Sequence, residues 1–186
     1  MEWGIVAIVV VLAVAFFAVV GFNRLRSSDV AAQEALGGID VQLTRRADLI
    51  PNLVSTVKGY AGHEREVLES VTAARTRVSS AAAGSSVPEK AAADQQLQRS
   101  LVDLNAVAEG YPDLKANANF LELQKQLAET EDQISFARQY YNDAVSRLNT
   151  LARTIPWMLF VGMAGVHPRE FYEAPEGNEQ VPRVQF

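Results

Sequence analysis

The stretch NFLELQKQLAETEDQISFARQYYNDAVSRLNTLARTI, residues 119–155, decides how this chain folds. Phe120, Leu123, Leu127, Ile134, Ala137, Tyr141, Ala144, Leu148, Leu151 and Ile155 fall at alternating steps of three and four, with Thr130 in the weak slot. Steps of that kind gather apolar side chains into one seam of a heptad helix. The spacing predicts a helix from about Asn119 to Arg153, and a seam that long needs other helices to cover it.

The residues before it supply those helices. Ser86 stands three positions ahead of Glu89 with Pro88 between them, which is a capping box with proline in the first turn. A helix begins there, carries Leu97, Leu101, Leu104 and Ala108 as its stripe, and stops at Gly110-Tyr111-Pro112. An earlier helix is predicted from about His63 to Ala83, with Val67, Val71, Ala74 and Val78 inward, ended by Gly84-Ser85-Ser86. From Asn23 to Lys58 runs a longer one. Ile39, Leu43, Ala47, Ile50, Val54 and Val57 share its inner face, and Pro51 is expected to kink or break it because proline removes the bond to the carbonyl of Ala47, a kink being favoured since Ile50 is no capping residue. Gly59 and Gly62 mark the turn that follows.

Ala, Leu, Gln, Glu and Arg dominate these segments, and alternating β-branched runs are missing. The fold class expected is therefore all-α: an antiparallel up-down-up-down four-helix bundle over 23–155. Its first and fourth helices reach about 50 Å and its second and third about 32 Å, so four layers exist over part of the length only.

Ahead of the bundle, Trp3 through Phe22 contains no charged side chain. Roughly 20 residues at 1.5 Å rise span about 30 Å, one bilayer crossing. Residues 1–22 thus read as a permanent transmembrane anchor, with Trp3, Phe16, Phe17 and Phe22 as its aromatic anchoring residues; Met1-Glu2 lacks the basic n-region of a cleaved signal. Arg24 and Arg26 follow the span and no basic residue precedes it, so the expected orientation is N-terminus outside and bulk of the chain cytoplasmic.

After the bundle, Pro156 to Val166 (PWMLFVGMAGV) is uncharged and too short to cross a bilayer. In the bundle topology this apolar membrane-proximal segment, 156–173, is delivered back to the anchor's exit. Trp157, Met158, Leu159, Phe160 and Met163 are then candidates for a membrane return or an interface, and Arg169 for contact with lipid phosphates. Packing on the bundle or on an oligomer partner is the competing reading. Residues 174–186 carry Pro175, Gly177, Pro182 and two Glu, and read as a disordered, solvated tail.

The composition limits function. Among 186 residues, 17 Lys and Arg stand against 22 Asp and Glu, a net charge of −5 that speaks against nucleic acid as a partner. With 0 Cys and 2 His, thiolate sites are excluded and imidazole chemistry is scarce. His63, Glu64 and Glu66 lack metal-ligand spacing, and neither GxSxG nor a phosphate-cradling glycine loop occurs. No cofactor, no metal and no catalytic residue is expected.

Three stretches, IDVQLTRRADLIPNLVSTVKGYAGHE (39–64), YPDLKANANFLELQ (111–124) and RQYYNDAV (138–145), with HPREFYE at 167–173, resemble the LemA family. Members commonly place Tyr-Asn after the anchor, Ala-Trp before the Ile-Asp-Val run and a second Tyr-Asn late in the last helix. Here those positions read Phe22-Asn23, Ala35-Leu36 and Leu148-Asn149. The resemblance implies a bacterial, membrane-anchored helical bundle with its bulk inside the cell, and it carries over no catalytic residue.

Asp40, Arg45, Arg46 and Asp48 form a charge cluster on the first bundle helix, with Asn52 one turn on. They are the candidate partner surface, weighed against a solvated salt-bridge face or a polar network inside the bundle. Asn117, Asn119, Arg138, Tyr141 and Asn142 are expected to fix register through buried hydrogen bonds. The function expected is a non-enzymatic scaffold or adaptor at the bacterial inner membrane. The alternative is a dedicated accessory or regulatory subunit of another membrane protein, such as an envelope protease or transporter. Its partners are the lipid bilayer and other proteins, a second copy of itself included.

Overall fold

A computed structural model of the chain describes residues 2–173 and, among them, only helices: α1 (Glu2–Lys58), α2 (Arg65–Ala82), α3 (Val87–Glu109), α4 (Pro112–Lys115), α5 (Ala118–Arg153), a 3₁₀ helix (Trp157–Phe160) and α6 (Val161–Ala164). The all-α class read from the periodicities is what the chain adopts. The tail expected at 174–186 lies outside the described residues.

Helix α1 joins the apolar span and the first bundle helix in one element of 57 residues, through Gly37-Gly38 and through Pro51. The break considered at Pro51 does not occur. Ile50, Leu53 and Val57 around it are almost wholly buried, and that apolar packing outweighs the one backbone bond proline forfeits. The N-terminal part holds an 18-residue window of mean hydropathy 3.2 of which only 6% is buried, long and apolar enough to cross a membrane.

Helix ends follow the local signals. Ser86 N–H and Oγ–H both donate to Glu89 Oε2 at 2.9 Å, closing the capping box of α3. The bond from backbone N–H lowers the Glu89 pKa below its ordinary 4.5, aided by the hydroxyl. Asn117 caps α5, its Oδ1 accepting Phe120 N–H at 3.0 Å, while its Nδ2 donates to Tyr60 Oη. The Gly110-Tyr111-Pro112 stop carries one short additional helix, α4, which buries Leu114.

The chain divides into two compact units. One comprises residues 2–37 with 139–171. Its core gathers Leu25, Ala32, Tyr141, Val145, Leu148 and Val166. The other comprises 38–138 with 172–173. There α2 packs on α3, and Ile39, Leu43, Ile50, Val71, Val78, Leu97, Leu104 and Ile134 form the core. Most of the heptad seam of α5 is buried as read, Thr130 included. Three positions in the stripes shift by one residue, Val145 for Ala144, Leu53 for Val54 and Leu68 for Val67, the larger or better-aimed side chain taking the slot. Ile155 is not core: it lies past the end of α5 and is 79% exposed.

Candidate functional site

Within the second unit, the charge cluster read on α1 divides between core and solvent. Arg45 and Asp48 are exposed. Arg46, one step along, turns inward and is 2% exposed. Its Nη1 donates to Asp94 Oδ1 at 3.0 Å and to Glu131 Oε2 at 2.7 Å, and its Nη2 donates to Gln98 Oε1. Asp94, itself buried on α3, uses its other oxygen to accept from Arg138 Nη2 of α5. One carboxylate therefore serves two guanidinium groups.

Lys90, one turn before Asp94, is also buried and donates to Asp40 Oδ1 and to the Ala82 carbonyl. Arg46, Arg138 and Lys90 are thus matched by Asp94, Glu131 and Asp40, and the formal charge of the network cancels. That balance is what permits burial, since an isolated ion in so dry a place costs several kcal/mol after relaxation. The guanidinium of Arg138 also lies over the Tyr172 ring, 5.4 Å from its centroid. Burial opposes the Arg138 charge, but Asp94 above all outweighs it, and the group titrates above its ordinary value. Burial pushes the Tyr172 phenol up as well, and the Asp94 carboxylate adds to the effect.

A groove of ≈ 320 Å³ opens beside this network, flanked by Arg46, Gln98, Asn105, Gln124 and Glu131. Gln124 Nε2 donates to Asn105 Oδ1 across it at 2.8 Å. Buried Gln42 Oε1, Arg46 Nε and Arg138 Nε have no hydrogen-bond partner among the described residues. His63 and the acids around it form no cluster that could hold a metal among the described residues. Glu64 instead accepts from Tyr111 Oη at 3.2 Å.

In the first unit, residues 167–171 of the HPREFYE segment are strapped down by side chains of α5. Asn149 grips the Arg169 backbone with both ends, Nδ2 donating to its carbonyl at 2.9 Å and Oδ1 accepting its N–H at 3.0 Å. Tyr141 Oη donates to the Glu170 carbonyl at 2.8 Å. Arg169, read as a candidate for lipid phosphate, is engaged by protein: Nε donates to Asp29 Oδ1 at 2.8 Å and Nη2 to Gln33 Oε1 at 3.1 Å. Trp157 and Phe160 of the apolar run lie against Gly21 of α1, whereas Met158, Leu159 and Met163 are exposed.

Residues 35–186 match the model of the LemA family. This chain belongs to the LemA family. Its relatives include the magnetosome proteins MamQ 1 and MamQ 2 of Paramagnetospirillum magneticum, each 24% identical over 98% of this chain and 76% of theirs. A protein LemA of Metamycoplasma hominis is 25% identical over 76% of this chain and 64% of its own length. Within this LemA-family chain, Asp40 and Arg46 of the matched region are the two members of the sequence-read cluster that enter the network. Lys90, Asp94 and Gln98 were missed, although their spacing of four along α3 draws one polar line beside the Leu97 and Leu101 stripe.

Proposed function

We propose that this LemA-family chain is a single-pass, non-enzymatic scaffold that presents a helical bundle on the cytoplasmic face of a bacterial inner membrane. The anchor is the exposed apolar part of α1, whose Trp3, Phe16 and Phe17 are 88%, 65% and 50% exposed and suit lipid. The orientation rests on Arg24 and Arg26 at the foot of that span. Short connections favour an up-down-up-down course for α1, α2, α3 and α5.

The observation that carries the reading is the use made of the charged side chains. The acids and bases that the fold gathers are engaged with one another across three helices, where buried ionic networks fix register and partner helices. General acid or base catalysis asks for the opposite, a group held open toward a substrate. The names of the relatives, magnetosome protein and LemA, are names of membership and not of a reaction. Arg45 and Asp48 are the residues of the α1 cluster left open to a partner.

Purification of the full chain in mild detergent followed by native mass measurement tests the proposal. The expected result is a stoichiometric assembly of this chain with itself. A single heterologous membrane protein at fixed stoichiometry would instead make it a dedicated accessory subunit, and a bare monomer would contradict both.

A further inference from the structure

We propose that the apolar run after α5 is a second membrane contact, a short knuckle that lies in the lipid interface beside the foot of the anchor. The inference rests on the anchor reading above and adds a surface to it.

Three observations place the knuckle. The first is a close approach at Gly21: a Cβ added there would stand 2.6 Å from Phe160 Cδ2 and 3.1 Å from Trp157 Cε3. Real Cβ atoms essentially never come as near as 2.6 Å, so the glycine is what lets the 3₁₀ helix seat directly on α1. Gly21 is also the next-to-last residue of the uncharged stretch Trp3–Phe22, so whatever rests on it sits where that stretch gives way to polar residues.

The second is Arg24, whose guanidinium lies 5.3 Å from the centroid of the Trp157 ring. An arginine over an indole two residues past an uncharged span is the arrangement expected at headgroup depth, where the cation faces phosphate and the ring stays in the interface.

The third is the part of the run left exposed. Ile155, Leu159, Met163 and Met158 are 79%, 73%, 58% and 48% exposed, and no charge occurs between Ile155 and Val166. Four large apolar side chains within nine residues are left in solvent while Ala164 and Val166 of the same run are buried. The run that carries this patch is seated on Gly21 through Trp157 and Phe160, and Val19 and Phe22 to either side of that glycine in sequence are exposed too. That seat at the end of the exposed apolar stretch is what assigns the patch to a bilayer ahead of a protein partner. Gly165, at φ +61°, then ends α6 in a left-handed cap, and Asn149 holds the following segment to α5. The knuckle is therefore held at both ends.

The chain contains no cysteine, so single cysteines can be placed and spin-labelled in the full protein. In vesicles of phosphatidylcholine and phosphatidylglycerol, labels at Leu159→Cys and Met163→Cys should be relaxed more by oxygen than by a water-soluble nickel chelate. Glu69→Cys on α2 should show the reverse. Preference for the nickel chelate at 159 and 163 overturns the proposal, and so does exclusion of both quenchers, which marks a protein contact. A label at Val11→Cys separates this from the anchor reading: nickel-accessible there, the anchor itself has failed. Gly21→Leu should push the knuckle off its seat and raise nickel access at 159 several-fold while Val11→Cys stays unchanged. An unaltered 159 label in that variant overturns the role given to Gly21.

Discussion

Replacing Asp94 with asparagine should destabilise the helical bundle by about 3 kcal/mol, because it removes the one carboxylate shared by two guanidinium groups. Asp94 is 1% exposed, so solvent cannot take its place. Breaking a buried pair from one side costs about 3–5 kcal/mol. The lower figure applies here because Arg46 keeps Glu131 and Gln98, and Arg138 keeps the Tyr172 ring. At about 2–4 °C per kcal/mol for a chain of this size, the melting temperature should fall by roughly 6–12 °C. Far-UV circular dichroism of the full chain in detergent would follow it. Glu131→Gln is the internal control: its side chain is 35% exposed, and the discounted loss should stay near about 1 kcal/mol. A triple exchange to apolar residues, Arg46→Met, Asp94→Leu and Arg138→Met, should recover most of the stability, since the cost lies in unmatched charge and not in the loss of the pairs themselves. An Asp94→Asn protein within about 0.5 kcal/mol of the parent, or a Glu131→Gln loss as large as that of Asp94→Asn, would refute the reasoning.

Leu127→Ala, in the buried seam of α5, should cost about 2–5 kcal/mol, whereas Glu129→Ala, whose side chain is 55% exposed, should change the melting temperature very little; equal effects would mean the wrong face has been assigned. Asn149→Ala should release the HPREFYE strap, read as faster hydrogen exchange at the Arg169 amide with α3 unaffected, and unchanged protection there would deny the clamp. The lowered pKa of Glu89 makes the capping box a source of stability that is complete above its ordinary 4.5 and is lost as pH falls through the lower folded value. Glu89→Gln should therefore flatten that part of the acid-unfolding curve, and identical acid limbs would count against it.

Helices α2 and α3 were legible because each is written twice, once as a stripe and once as an end signal. Ser86 and Glu89 mark a start that the structure keeps to the residue, and Leu97, Leu101 and Leu104 mark the face it buries. Pro51 left both a kink and a break open: the missing hydrogen bond is visible in sequence, whereas the burial of Ile50 and Leu53, with which the helix runs on, depends on what packs around them. The charged network was half legible. Asp40 and Arg46 stood out as a cluster, but whether a helical arginine points to water or to the core depends on what faces it, and Asp94 and Arg138 lie 48 and 92 residues away from Arg46 in sequence. Arg138 had been singled out for register, its partner Asp94 had not. The line of Lys90, Asp94 and Gln98 was the available signal, a polar stripe running beside an apolar one where a solvated face would have been expected opposite it.

The most direct test of a membrane-anchored scaffold with a cytoplasmic bundle is the accessibility of a single cysteine in living cells. Glu69→Cys lies exposed on α2, in a chain with no other thiol. With an impermeant maleimide it should stay unlabelled in intact bacteria, become labelled only after the inner membrane is opened, and remain with the membrane fraction throughout. Labelling in intact cells, or release of the protein into the soluble fraction, would contradict the assignment.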